Sequence, residues 1–137
     1  MDGEHSLELK IKKLHPDACI PSYAKLGDAG LDLYAIEDFV IPARSRYTAR
    51  TGIAIELPVG YEAQIRSRSG LASKHGVNVH NSPGTIDSGY RGEVMVILMN
   101  HDDKDYNAKK GDKIAQMIIH KHEIAKIVEN EDLSKTE

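Results

Sequence analysis

Short stretches in which apolar and polar residues alternate dominate the chain. From Leu7 to Lys12, for example, Leu7, Leu9 and Ile11 share one face and charged residues occupy the other. Gly and Pro interrupt such stretches at intervals of roughly ten residues, which predicts β-strands joined by turns. The predicted strands cover residues 7–12, 31–35, 47–57, 61–66, 94–99 and 114–128.

Two of these segments depart from simple alternation. Residues 94–99 are apolar without interruption, which predicts a strand buried on both faces, and residues 114–128 are long enough for one or two strands. One short helix is predicted over residues 69–75, with Ser69 as its N-cap and Gly76 as its stop. Many short strands with at most one short helix indicate an all-β sandwich or barrel.

The segment from Val77 to Glu93, VNVHNSPGTIDSGYRGE, carries the most candidate chemistry. Its two glycine-containing turns predict a tight hairpin or loop. Asp87 follows the apolar Ile86 and has Tyr90 and Arg91 within four residues. A carboxylate at the rim of an apolar patch, with a cation nearby, is a setting in which Asp takes a proton from water. The alternative is a solvent-facing Asp in a hairpin turn.

Composition narrows the class of protein. A chain of 137 residues is expected to form one domain, and 40% hydrophobic residues with no Trp and only Phe39 predict an aliphatic core. With a net charge of −3, the chain lacks the excess of basic residues that domains binding a nucleic-acid duplex usually carry. We therefore expect no nucleic-acid partner. The single Cys19 suits a reducing compartment, and neither a signal peptide nor a run of about 20 apolar residues occurs. We therefore expect a cytoplasmic protein without a membrane partner.

Four segments, in this order, resemble the trimeric deoxyuridine triphosphatases (dUTPases). They are AGLDLYA at residues 29–35, RSGLA at 68–72, NSPGTIDSGYRGE at 81–93 and GDKIAQM at 111–117. The resemblance implies an all-β, distorted jelly-roll or β-clip type barrel that assembles as a homotrimer. It also implies active sites that are each built from more than one subunit, so that an isolated monomer lacks a complete site.

The resemblance further implies hydrolysis of dUTP to dUMP and pyrophosphate, which supplies dUMP for thymidylate synthesis and keeps uracil out of DNA. It implies Mg²⁺ held mainly by the triphosphate, since Mg²⁺ keeps several waters and takes ligands from phosphates. Asp87 would deprotonate the water that attacks the α-phosphorus. Asp32 would hold either the Asp87 loop or, through water only, the Mg²⁺.

The same resemblance assigns residues to the phosphates. Arg68, Ser69 and Gly70 offer a guanidinium, a hydroxyl and backbone N–H groups to an anion. Gln116, on a predicted strand, can donate its side-chain amide to a phosphate oxygen. A loop turn without a ligand is the alternative interpretation of the Arg-Ser-Gly tripeptide.

Other residues are assigned to the nucleoside. The amide of Asn81 has both a donor and an acceptor for the uracil edge, and backbone groups of Thr85, Ile86 and Met95 would complete that edge. A site built for one hydrogen-bonding pattern rejects another, because a mismatch leaves buried groups unpaired. Tyr90 would lie against the deoxyribose and leave no space for a 2′-hydroxyl. A half-buried hairpin aromatic is the alternative for this tyrosine.

The chain departs from the family pattern in three places. Ser67 stands where the family usually has Pro, and Lys113 where it commonly has Arg, which alone forms bidentate pairs. Residues 1–128 form the predicted β domain, and residues 129–137 begin a C-terminal arm whose glycine-rich end is absent from the chain. In the family that arm closes over the nucleotide and supplies an Arg and a Phe. We therefore predict a folded trimer with impaired turnover.

Two other functions compete with dUTP hydrolysis. A dCTP deaminase shares a related fold and an RS-L-A-like element, but Gly70 and Tyr90 stand where those enzymes favour a second Ser and a Trp-like aromatic. A non-catalytic β-trimer that binds a protein partner is the alternative of another class. His120 and His122 could form a metal pair, but an exposed strand face is the favoured interpretation, and the acidic residues 102–105 indicate a solvated hairpin tip.

Overall fold

Eleven short strands and one helix form the part of the chain that the structure, a computed structural model, describes, namely residues 7–137. The elements in chain order are β1 (Lys10–Lys13), β2 (Gly30–Tyr34), β3 (Phe39–Ile41), β4 (Arg46–Arg50), β5 (Ile53–Glu56), β6 (Tyr61–Arg66), α1 (Ser69–His75), β7 (Val77–Val79), β8 (Gly84–Asp87), β9 (Met95–Asn100), β10 (Tyr106–Ala108) and β11 (Lys113–Lys121). The helix has only seven residues, and no helix within 7–137 is long and apolar enough to cross a membrane.

The strands pair in four antiparallel sheets. The largest sheet has the order β2-β11-β6-β8, and a three-stranded sheet has the order β4-β9-β7. The pairs β1-β5 and β10-β3 complete the set. Neighbours within the two larger sheets are distant in sequence, as in a jelly-roll, and the all-β prediction with one short helix is confirmed.

One aliphatic core lies between the sheets, as the composition predicts. Leu33 and Met117 enter it from the four-stranded sheet, and Val96 and Leu98 enter it from the three-stranded sheet. Phe39 packs face to face on Tyr47, with ring centroids 4.5 Å apart. The core thus depends on branched aliphatic side chains, with this aromatic pair at one side.

Two predicted elements have the bounds that the local sequence pattern indicates. The strand at 61–66 and the helix at 69–75 have the predicted bounds, and Gly76 ends the helix with a left-handed φ of 65°. The predicted cap is wrong, because Arg68 occupies the N-cap in an extended conformation and makes no side-chain capping hydrogen bond. Ser69 is instead the first helical residue.

The single extended segment predicted at 47–57 is wrong, because Gly52 divides it. Gly52 has a φ of 72°, which turns the chain from β4 to β5. β4 pairs with β9 and β5 pairs with β1, so the two halves belong to different sheets. A Cβ at Gly52 would lie 2.9 Å from Ile36 Cγ2, so the corner also needs the small residue for packing.

Two further strand predictions are wrong. β9 is not buried on both faces, because Val96 and Leu98 are buried while Met95 is 39% exposed. Ile97 and Met99, which alternate with the buried residues, are only half-buried, so β9 has one core face and one outer face. β11 ends at Lys121, and residues 122–137 form neither helix nor strand and leave Ile124 and Ile127 exposed.

Of the tight hairpin or loop predicted within 77–93, the loop is observed at residues 80–83 and the hairpin is not. β7 pairs with β9 in the three-stranded sheet, whereas β8 pairs with β6 in the four-stranded sheet. The chain therefore crosses between sheets at residues 80–83, where the Ser82–Pro83 peptide bond is cis. This crossing places Asp87 at the end of an edge strand of the largest sheet.

Candidate active site

Two separate clefts contain almost all the candidate residues. The first, with a volume of about 360 Å³, lies where β2 and β11 meet the start of α1. Its lining consists of Ala24, Asp28, Ala29, Gly30, Asp32, Arg68, Ser69, Gly70, Lys113 and Gln116. The structure thus brings together Asp32, the Arg-Ser-Gly tripeptide and Gln116 in one cleft.

Asp32 lies between two cations in this cleft. One carboxylate oxygen is 3.2 Å from Lys113 Nζ, and the other is 3.9 Å from Arg68 Nε. The side chain of Asp32 is only 15% exposed, so these charges interact with less screening than a surface pair. Asp32 therefore orients the two cations that face the cleft.

Gln116 is fixed at the floor of the cleft. Its Nε2 donates to the carbonyl oxygen of Ser67 at 2.9 Å, which leaves the second amide hydrogen available. Gly30 lies diagonally across the β2-β11 pair, and a Cβ there would collide with Gln116 Oε1 and approach Gln116 Cβ to 3.1 Å. The absence of a side chain at Gly30 is therefore what allows the observed position of Gln116.

A tyrosine outside the cleft lies near Arg68. Burial raises the pKa of Tyr106, the Asp112 carboxylate raises it further, and the Arg68 guanidinium lowers it. The ring of Tyr106 also packs against His75 of α1, with ring centroids 5.1 Å apart. Tyr106 therefore remains a neutral phenol at neutral pH and links β10 to the helix that follows Arg68.

The second cleft, about 210 Å³ in volume, is formed by β8, the turn after it and the start of β9. Its lining consists of Thr85, Ile86, Asp87, Tyr90, Glu93, Val94 and Met95. It thus unites four of the residues predicted for the nucleoside with the predicted base. Tyr90 is 45% exposed, and its hydroxyl donates to the carbonyl oxygen of Glu93 at 2.9 Å.

Asp87 is the exposed last residue of β8. Its backbone carbonyl accepts a hydrogen bond from Tyr90 N at 3.1 Å, which closes the turn. Its carboxylate makes no hydrogen bond or ion pair with the residues from 7 to 137, so it is available to accept a proton from water. Glu62 lies directly opposite on β6, where His120 and Gln64 contact its carboxylate.

Asn81 lies just outside this second cleft. It precedes β8 and its side chain covers Gly84, where a Cβ would lie 3.1 Å from Asn81 Nδ2. The amide is exposed, so its donor and acceptor face solvent beside the strand that carries Thr85 and Ile86.

Within one chain the two clefts do not merge. They share no lining residue, and β2 and β8 are the two edges of the largest sheet, separated by three strand spacings of roughly 4.8 Å each. Asp32 therefore does not contact the Asp87 loop of its own chain. Its expected role with the waters of Mg²⁺ stays a prediction.

Sequence reasoning assigned no site role to seven residues that line these clefts, namely Ala24, Asp28, Ala29, Gly30, Glu93, Val94 and Lys113. Lys113 was noted only as a replacement for Arg, although it makes the shorter ion pair to Asp32. Asp28 and Gly30 line the first cleft, and Glu93 lines the second. Gly30 and Glu93 lie inside the segments that carry the family resemblance, so their position in those segments was the available signal.

Within residues 7–137, neither the pair His120 and His122 nor the acidic tip at 102–105 forms a metal site. His120 Nδ1 lies 3.3 Å from Glu62 Oε2, and His122 follows the end of β11 rather than sharing its face. The acidic tip at 102–105 is exposed, and its Asp103 pairs with Arg44. In the described part of the chain, no three His, Cys, Asp or Glu side chains are placed to hold a metal ion together.

Known proteins match the chain over most of its length. The dUTPase family profile matches residues 17–137. A deoxyuridine 5'-triphosphate nucleotidohydrolase of Clostridioides difficile is 54% identical over 129 residues, which cover 94% of this chain and 90% of the relative. The enzyme of the same name from Helicobacter pylori strain J99 is 49% identical over 130 residues, which cover 95% of this chain and 90% of the relative.

Solved structures share the fold. The dUTPase from phage phi11 of S. aureus, in which a structural Mg(II) ion is coordinated, has a TM-score of 0.87 at 23% identity, covering 93% of this chain and 99% of its own. The dUTPase of staphylococcal phage 80alpha, solved with dUpNHpp, has a TM-score of 0.88 at 24% identity, covering 95% and 92%. Since the family profile extends over residues 17–137 and the two relatives are 49% and 54% identical across nearly the whole chain, this chain belongs to the dUTPase family.

Proposed function

We propose that this chain hydrolyses dUTP to dUMP and pyrophosphate, with Asp87 as the base that deprotonates the attacking water. The observation that carries this proposal is the exposed Asp87 carboxylate, which has no partner within residues 7–137 and lines the same cleft as Tyr90. Water attack on the α-phosphorus needs a positioned base and charge neutralisation rather than a protein nucleophile. Its physiological consequence is a supply of dUMP and the exclusion of uracil from DNA.

The first cleft is the proposed binding site for the triphosphate. Arg68 and the hydroxyl and backbone N–H of Ser69 and Gly70 are donors for phosphate oxygens, and Gln116 has one amide hydrogen left for the same purpose. Lys113 adds a second cation at the cleft. Together these groups supply the positioning on which phosphoryl transfer depends.

The donor set of this cleft fits Mg²⁺ that is carried by the triphosphate. The lining contains two cations, Arg68 and Lys113, and two carboxylates, Asp28 and Asp32, so it offers partners both to phosphate oxygens and to a hydrated cation. One or two carboxylates acting with substrate phosphates is the usual way in which proteins hold Mg²⁺. Asp32 would contact the ion through water only. When bound, Mg²⁺ supplies charge neutralisation on the phosphate oxygens.

The second cleft is the proposed nucleoside site. Backbone groups of Thr85, Ile86 and Met95, with the amide of Asn81, would pair with the uracil edge, and cytosine would leave these groups mismatched. Tyr90 would lie against the deoxyribose and exclude a 2′-hydroxyl. The proposal is supported by the position of Tyr90 in the same cleft as the strand edge and Asp87.

We further propose that the chain acts as a homotrimer with shared sites. The nucleoside cleft and the triphosphate cleft are at opposite edges of the largest sheet, so a second subunit must supply one of them to a given substrate. Exposed apolar residues in the segment 122–137, among them Ile127 and Leu133, are consistent with burial against another subunit.

A cytoplasmic location is supported by the single unpaired Cys19.

The test is pyrophosphate release with Mg²⁺ from dUTP, dCTP, dTTP and UTP in parallel. It compares this chain, a version with the glycine-rich arm appended, and Asp87→Asn in both backgrounds. We expect release from dUTP alone, raised by the arm, and a loss of at least 100-fold in Asp87→Asn because the base is removed. The dissociation constant of dUpNHpp should be nearly unchanged in Asp87→Asn.

Three outcomes would contradict parts of this proposal. Full activity of Asp87→Asn would remove the assignment of the base. No release from any nucleotide by the version with the arm would favour the binding scaffold. Ammonia release from dCTP, measured in the same samples, would favour the deaminase.

A further inference from the structure

Glu93, to which the sequence analysis assigns no role, has hydrogen-bond partners for both of its carboxylate oxygens. Both of its oxygens lie 3.2 Å from Arg50 Nε, and one of them accepts the backbone N–H of Gly52 at 2.9 Å. The side chain is only 18% exposed. The Arg50 side chain is 41% exposed, so the pair is partly screened on that side, but the burial of Glu93 makes these charge-assisted bonds stronger than those of a fully exposed pair.

Two backbone groups of the next residue are anchored to the same corner. Thr51 Oγ1 donates to the carbonyl oxygen of Val94 at 2.6 Å, and Val94 N donates to the carbonyl oxygen of Ile53 at 2.8 Å. Residues 93–94 are therefore attached to residues 50–53, where the chain passes from β4 to β5. Both Thr51 and Ile53 are buried, so these hydrogen bonds are shielded from competition by water.

Tyr90 takes its position from this anchored segment. Its hydroxyl donates to the carbonyl oxygen of Glu93 at 2.9 Å. Its ring covers Gly92, where a Cβ would lie 2.6 Å from the hydroxyl oxygen and 2.7 Å from Cζ of Tyr90. The ring thus rests on the backbone of residues 92–93, and the side chain of Glu93 holds that backbone in place.

We propose that Glu93, through its bond to Arg50 and Gly52, is a positioning residue that sets the Tyr90 ring for discrimination between deoxyribose and ribose. This inference rests on the proposed nucleoside site, in which Tyr90 faces the sugar. Glu93 touches the substrate with neither of its carboxylate oxygens in this arrangement, because both are directed to Arg50 and Gly52. It acts through the backbone carbonyl that receives the Tyr90 hydroxyl.

The experiment measures the dissociation constants of dUDP and UDP by calorimetry, which requires binding but no turnover. Variants are Glu93→Ala, Tyr90→Phe and the double variant. In each, we expect the preference for dUDP over UDP to fall on the order of 10-fold, because a ring displaced by about 1 Å loses its fit to the sugar. The double variant should lose no more than either single variant, since both act on one contact.

A structural role alone would give a different result. If Glu93→Ala lowers the melting temperature but keeps the preference for dUDP, or if the two losses multiply in the double variant, the inference is overturned. If the alanine variant does not fold, Glu93→Gln and Arg50→Lys replace it in the experiment, because they nearly keep the side-chain volume. An unchanged preference for dUDP in both of these variants also overturns the inference. Partial recovery in Glu93→Gln is expected, because its amide oxygen can still accept the Gly52 N–H.

A control and a separate assay keep the two proposals apart. Asp103→Asn removes another Arg–carboxylate pair, the exposed pair with Arg44, which lines neither cleft, and should leave the preference unchanged. Absence of pyrophosphate release by the version with the arm, together with a strong preference for dUDP, would reject the proposed hydrolysis and leave the inference standing. Absence of any preference in the unmodified chain would overturn the inference whatever the hydrolysis assay shows.

Discussion

Among single residues, Gly30 decides the shape of the first cleft, which is proposed for the triphosphate, because glycine has no side chain. Gly30 lies diagonally across the β2-β11 pair from Gln116, and the space that it leaves lets Gln116 donate to the carbonyl oxygen of Ser67. Glycine is required here for close packing, since its φ is not among the positive values that mark turn glycines such as Gly52 and Gly76.

We predict that Gly30→Ala weakens binding at the triphosphate cleft about tenfold, because Gln116 must leave Ser67 and lose its orientation. The measurement is the dissociation constant of pyrophosphate with Mg²⁺, together with the melting temperature. Gly89→Ala is the matched control, since a Cβ at Gly89 meets no atom within 4 Å. Equal pyrophosphate affinity in both variants would show that Gln116 does not need its present position.

The exposed ion pair between Asp17 and Lys110 leads to a prediction about the pH dependence of stability. The hydrogen bond and the positive charge of Lys110, 2.7 Å away, lower the pKa of Asp17 below its ordinary value of 3.8. A lowered pKa contributes stability that is present above the unfolded value and is lost as the pH falls through the folded value. The pair therefore stabilises the fold above about pH 4 and ceases to do so in stronger acid.

Lys110→Met should consequently lower the melting temperature slightly at pH 6 and leave it unchanged near pH 2. The effect is small because both side chains are about half exposed. Lys109→Met provides the neighbouring control, and a loss in Lys110→Met that is the same at both pH values would contradict the role of Asp17.

At the scale of elements, Asn100 joins the end of β9 to two other segments. Its Nδ2 donates to the carbonyl oxygens of Ile41 at 3.0 Å and Lys104 at 2.9 Å, and its Oδ1 accepts the N–H of Asp102 at 2.9 Å. The side chain is completely buried. In the described residues every buried side-chain polar atom has a partner, so this amide is part of a fully satisfied core.

We predict that Asn100→Ala destabilises the fold by about 2–3 kcal/mol, because it leaves buried carbonyl groups without donors. The measurement is the free energy of unfolding from urea denaturation. Asn107→Ala, at an exposed position of β10, should change that free energy by less than about 0.5 kcal/mol. A loss below about 1 kcal/mol in Asn100→Ala, which is no more than the usual net contribution of one hydrogen bond, would contradict this prediction. It would mean that water replaces the lost donors.

At the scale of the whole molecule, the separation of the two clefts makes the shared-site trimer testable. Asp87→Asn removes the nucleoside-side base and Arg68→Ala removes a phosphate donor, so each variant alone should be nearly inactive. If one site takes its base from one subunit and its phosphate donors from another, trimers refolded from an equal mixture should regain about a quarter of the wild-type activity.

The control mixture combines Asp87→Asn with the double variant Asp87→Asn/Arg68→Ala, which contains no intact base in any subunit. It should stay inactive. No recovery in the first mixture, with mixed trimers confirmed by mass spectrometry, would place both clefts of a working site in one subunit.

Local features of the sequence were enough to predict several elements. The alternation at 61–66 and the turn at Gly76 produce β6 and the end of α1 as expected, because they depend on side-chain direction and on backbone freedom within a few residues. The scarcity of aromatic residues likewise determined an aliphatic core. The ordered segments identified the family and most of the residues that line the two clefts.

Tertiary structure decided how these elements meet. Alternation states which residues share a face, but it carries no information on which strand lies alongside, so the placement of β7 and β8 in different sheets was not predictable from their adjacency. For the same reason, the contacts of Asp32 with Lys113 and of Glu93 with Arg50 appear only after folding, since each joins residues more than forty positions apart. Side-chain alternation, composition and the ordered segments were thus enough for part of the local structure, the core composition and the family, whereas pairing between distant strands set the two separate clefts and the anchored position of Tyr90.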